Sequence, residues 1–176
     1  MTKKDQIPEK YEALNVINVR LVNEPAPLSE RPITCRDDAV EEIQKMLKGF
    51  DREAFCILSL ASDGRPLGLN IASIGTLNSA LISPREVFKS SILSNAAACI
   101  AFHCHPSGST KPSMEDAKTT ERIKEAGELL DIKLVDHIIV GCGTGKSYSF
   151  KASGLLDSND LVTEFWNRYN GKDWER

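Results

Sequence analysis

At 176 residues, 41% hydrophobic and 27% charged, the chain has the size and composition of one globular domain with short extensions. A formal net charge of −3 offers no broad basic surface for nucleic acid, and no apolar run approaches the about 18 residues of a membrane span. The opening Met1-Thr2-Lys3-Lys4-Asp5 lacks the apolar segment of a signal peptide, which leads us to expect a cytoplasmic location.

Residues 1–33 read as a poorly ordered extension, polar and broken by Pro8, Pro25, Pro27 and Pro32, with a candidate edge strand at 16–22. Residues 34–48 carry Ala39, Val40, Ile43, Met46 and Leu47 at helical spacing, with Asp37 or Asp38 as the cap and Gly49 as the stop. A strand at 53–60 is followed by Asp63-Gly64, a hairpin turn, and a returning strand at 67–74. Ser83 and Pro84 open a second helix, whose face of Val87, Phe88, Ile92 and Leu93 runs to Asn95.

Residues 96–102 are apolar and read as a buried strand. A helix from Ser113 turns Ala117, Ile123, Ala126 and Leu130 inward and ends near Leu130-Asp131. Strands at 133–140 and 147–150 follow, then a short helix capped within 157–160 and containing Phe165 and Trp166. Residues 171–176 read as a frayed tail. The main domain is thus expected over 34–156, with 157–176 as a terminal helix and tail. Alternating strands and helices with one hairpin predict an α/β domain built on a mixed sheet flanked by helices.

The five cysteines, at 35, 56, 99, 104 and 142, are odd in number and form no C-x-x-C pair. Cys56 and Cys99 sit inside strand patterns and read as small buried hydrophobes, in keeping with a reducing compartment.

The chemistry is concentrated in His103-Cys104-His105-Pro106-Ser107-Gly108, followed by Pro112-Ser113-Met114-Glu115-Asp116. Residues i and i+2 of a strand share a face, so His103 and His105 can converge on one point. Asp116, in the first turn of the next helix, can join them. Two imidazoles and one carboxylate with an open fourth position meet the needs of a catalytic zinc site.

The whole string, H-x-H, seven residues, then S-x-x-D, resembles the JAB/JAMM metalloprotease motif. Its P-S-G and P-S elements are similar to those of the RadC-like branch of that family. The resemblance covers roughly residues 27–156 and implies the JAB/MPN fold, a cytidine-deaminase-like architecture. It further implies Zn2+ held by His103, His105 and Asp116, and hydrolysis of a peptide or isopeptide bond in an unidentified peptide or protein substrate. Cys104 stands where Asn is expected in this branch. Strand alternation turns it away from the metal. RadC-like proteins often carry a helical DNA-associated module ahead of this domain, and none is expected in residues 1–33.

Zinc chemistry also needs a group that shuttles protons. In the resembled family this is a glutamate at the entry of the strand after the first helix, the place of Glu53 here. Ser113 has two candidate roles, helix cap and oxyanion partner, which compete for one hydroxyl. His137 is open between supporting the metal site and being an ordinary strand histidine.

Gly143-Thr144-Gly145-Lys146-Ser147 is one residue short of a phosphate-binding loop, because position 140 is Val, and it leads into a strand rather than a helix. A hairpin turn is expected. The alternative to an enzyme is a non-enzymatic, metal-stabilised RadC-like module in DNA repair or mobile-element biology, although the charge does not support direct nucleic-acid contact.

Overall fold

Apolar runs at 54–60, 98–105 and 133–141 are nearly continuous, as expected of strands covered on both faces. In the computed structural model, which describes residues 19–22, 31–47, 50–75 and 82–169, they are the three central strands. These are β1 (Ala54–Leu60), β3 (Ala98–His105) and β4 (Lys133–Gly141). The edges are β2 (Pro66–Ile74) and β5 (Ser147–Ser149), giving the sheet order β2-β1-β3-β4-β5. β3 pairs antiparallel with β1 and parallel with β4, so the expected mixed sheet is present.

Helices α1 (Arg36–Met46), α2 (Pro84–Leu93), α3 (Met114–Leu129) and α4 (Leu161–Tyr169) flank the sheet. Strand alternation divides the interior into two cores. Phe55, Ile57, Ala101 and Ile139 face the side of α2, α3 and α4. Cys56, Leu58, Phe102, Cys104 and Ile138 face α1.

Asp63-Gly64 makes the hairpin turn, with Gly64 at φ 82° and its carbonyl accepting from Ile33 N at 2.9 Å. A β-carbon at Gly64 would lie 3.2 Å from Ile33 O, so the turn and the chain leading into α1 fit together only around glycine. Pro84 takes the first position of α2 after Ser83. Gly143 and Gly145, at φ 74° and 70°, form the turn between β4 and β5.

Some expectations change. The cap of α1 is Cys35, not Asp37 or Asp38. Asp38 lies three positions inside and reaches back, its Oδ2 accepting from Thr34 N at 2.9 Å, Thr34 Oγ1 at 2.7 Å and Cys35 N at 3.1 Å. Of the candidate edge strand, residues 16–18 lie outside the described residues, and 19–22 are exposed and not in a strand. Gly49 and the tail also lie outside them. Helix α4 is capped by Asp160, which accepts from Thr163 N at 2.9 Å. Leu161 and Phe165 enter the larger core, so this helix packs into the domain.

Cys56 and Cys99 are fully buried, and burial pushes both thiols up to about 12. Cys104 and Cys142 are joined in a disulfide, a pairing their spacing did not suggest.

Candidate metal centre

Two neighbouring strands bring the site together. His103 and His105 lie at the C-terminal end of β3, and their ring centroids are 4.3 Å apart. Phe55 of β1 is paired with His103, which sets Glu53, two residues earlier, beside the same strand end. Helix α3 starts against them. Glu53, His103, His105, Ser113 and Asp116 all line one cavity of about 260 Å³, together with Ile82, Glu115 and Thr119.

The hydrogen bonds orient the imidazoles. His103 Nδ1 is 2.7 Å from Asp116 Oδ1, and His105 Nδ1 is 3.0 Å from the Ser109 carbonyl oxygen. Both acceptors require N–H at Nδ1, which leaves the two Nε2 lone pairs for a ligand. His103 Nε2 is buried and has no hydrogen-bond partner among the described residues. Burial holds His105 below the usual imidazole range, which favours the neutral form that ligates metals.

Ligand atoms from Glu53, His103 and His105 lie within 4.8 Å of one another. Asp116 is at the same cavity but engaged: Oδ1 with His103, Oδ2 with Ser113 N at 2.7 Å and Ser113 Oγ at 2.6 Å. Burial pushes its carboxyl up, but the hydrogen bonds from His103 and from the Ser113 hydroxyl outweigh this and hold it below the usual carboxylate range. The unpartnered Nε2 of His103, the imidazole of His105 and two carboxylates at one cavity fit a divalent metal ion in donor chemistry.

Ser113 both accepts from Asp116 N at 3.2 Å and donates to the Asp116 carboxylate, so its hydroxyl acts as a cap. Ser107 accepts from Ser109 N at 3.4 Å, a loop contact outside the cavity. Cys104 points into the opposite core, as alternation requires.

Gly141 was not singled out from the sequence. The His105 carbonyl accepts from Cys142 N at 3.0 Å and Gly108 N at 3.1 Å, docking the Pro106-Ser107-Gly108 loop on the end of β4. A β-carbon at Gly141 would collide with the Gly108 carbonyl oxygen. Nothing local in the sequence marks that contact, which joins residues distant along the chain.

A five-stranded mixed α/β domain with paired histidines at a strand end and a carboxylate at the next helix start is the arrangement of a JAB domain. The family model described as "RadC-like JAB domain" matches residues 33–155, and the chain belongs to that family. A UPF0758 protein of Desulforudis audaxviator is 44% identical over 120 residues, 68% of this chain and 51% of that protein. One from Desulforamulus reducens is 43% identical over 124 residues, covering 70% and 54%. The chain spans about half the length of these curated relatives. Among the described residues, no helix is long and apolar enough to cross a membrane.

Proposed function

We propose that the chain is a zinc-dependent metallohydrolase that cleaves a peptide or isopeptide bond. The observation that carries this reading is the pair of histidines whose Nδ1 atoms are both tied to oxygen acceptors while Nε2 is left over, with Glu53 and Asp116 beside them. We assign His103, His105 and Asp116 to the metal, for which Asp116 would turn Oδ1 from His103 to the ion, and leave to Glu53, whose carboxylate lies within 4.8 Å of both imidazole donors, the role of proton carrier. A zinc ion there supplies Lewis acidity and makes water a nucleophile near neutral pH.

The other steps belong to the protein. Glu53 stands at the strand entry facing the histidines, where its carboxylate takes a proton from the attacking water and returns it to the departing amine nitrogen. Ser113 holds Asp116 through the reciprocal cap at the cavity wall, and it would serve a carbonyl oxygen gaining charge there only by turning its one hydroxyl proton away from Asp116.

Glu53→Gln tests the assignment. It keeps size and removes basicity, so zinc content and thermal stability should stay close to wild type. Activity on a substrate found by screening a peptide library should fall about 10²–10⁴-fold. Loss of zinc in this variant would make Glu53 a ligand, and an active, zinc-loaded variant would exclude it as the proton carrier.

A further inference from the structure

A third histidine lies near the metal centre without lining its cavity. His137, on β4, is fully buried and pairs in register with Ala101, two residues before His103 and on the same face of the sheet. Its ring stacks on Phe150 at 5.0 Å with a 5° interplanar angle and meets Phe55 edge-on at 5.4 Å. On its other side it is nearly parallel to His103, 11° between planes at 6.4 Å.

The one hydrogen bond of its ring among the described residues leads to the other half of the site. His137 Nδ1 is 2.6 Å from Thr120 Oγ1, and Thr120 Oγ1 donates at 2.6 Å to the backbone carbonyl of Asp116. A hydroxyl has a single proton. With that proton given to Asp116 O, His137 must carry its own at Nδ1 and donate to Thr120. This leaves Nε2 as a bare lone pair with no partner among the described residues. A phenylalanine or leucine would fill this layer without burying an unpartnered nitrogen. The histidine is therefore not explained by packing alone.

We infer that His137 is a positioning residue for the metal site: through Thr120 it fixes the first turn of α3 that carries Asp116, and its ring, held against Phe150 and Phe55, lies parallel to that of His103 in the neighbouring layer. One side chain thereby holds two groups, on two elements, in the register that metal binding needs. This rests on the proposed metal site. It differs from a fold-stabilising role in that the loss should appear in metal affinity.

The test is titration of metal-free full-length protein with Co2+, read by d–d absorption, for wild type, His137→Phe, Thr120→Val, the double variant and His137→Asn. His137→Phe and Thr120→Val should each weaken Co2+ binding about 10–100-fold, the usual effect of removing a group that orients a ligand. The double variant should be no worse than the weaker single one, because both cut the same chain of contacts. His137→Asn, whose amide nitrogen replaces Nδ1, should recover most of the loss. Affinity within twofold of wild type in His137→Phe, with only thermal stability lowered, would overturn the inference.

Should His137→Phe not fold, Thr120→Val and histidine ¹⁵N NMR of the wild type decide. A proton on Nε2 of His137 instead of Nδ1 refutes the contact chain. Wild type that binds no Co2+ overturns the metal reading and this role together. Normal wild-type binding with unaffected variants overturns only the role of His137.

Discussion

Ser113 and Asp116 bond each other in both directions: the Asp116 carboxylate accepts from Ser113 N and Oγ, at 2.7 and 2.6 Å, and Ser113 Oγ accepts from Asp116 N at 3.2 Å. The same reciprocal cap that starts α3 therefore aims its carboxylate at His103. Helix initiation and site geometry are one structural event here.

Ser113→Ala should consequently act on stability before it acts on chemistry. Loss of the cap should destabilise the protein by about 0.5–2 kcal/mol in denaturant titration. Ser113→Thr, which can cap, should recover most of that loss. Equal stability of the alanine variant and wild type would show that the hydroxyl does not cap in solution.

Metal analysis of purified protein should give close to one zinc per chain. His103→Ala and Asp116→Ala should each lose tight binding, since each removes a donor from a small set. Stoichiometric zinc in both variants after dialysis against a weak chelator would mean that the ligands lie elsewhere.

Cys104 sits between the two histidines but faces α1, bonded to Cys142. Cys104→Asn should keep its zinc. Reduction of the wild-type disulfide should lower stability by roughly 2–4 kcal/mol without releasing metal. Zinc loss on the Asn substitution would make the thiol a ligand and point to a closed structural site.

The pH dependence of folding should carry the mark of His137. Complete burial lowers its pKa from 6.5 to about 3. Well above pH 6.5 the group is neutral in both states and adds no slope. Between these two values the unfolded chain binds a proton that the folded one does not, so stability falls as the pH falls, by up to about 1.4 kcal/mol per pH unit. Urea titrations of metal-free wild type and His137→Asn across this window should show a shallower slope for the variant. Parallel slopes would mean that this imidazole is protonated in the folded protein.

Much of the site is legible in the sequence because it is local. His103 and His105 share a face by strand periodicity, and Ser113 and Asp116 meet because three residues make almost one helical turn. The hairpin at Asp63-Gly64 and the start at Pro84 follow from equally short-range backbone rules. The cap of α1 was misassigned to Asp37 or Asp38 for a related reason. An acidic residue inside the first turn can reach back as well as lead, and only the backbone conformation of Cys35 decides between them.

The sequence by itself determined the alternation of strands and helices, the pairing of the two histidines and the helix start that carries Asp116. All of these depend on residues within a few positions of one another. The tertiary structure alone decided that Glu53 shares their cavity, that Cys104 meets Cys142, that Gly141 receives the loop after His105 and that His137 reaches Asp116 through Thr120. Those contacts join residues from different elements of the sheet and helix layers. Backbone propensity has no bearing on them, and they exist only once burial of the two cores has fixed the order and register of the strands.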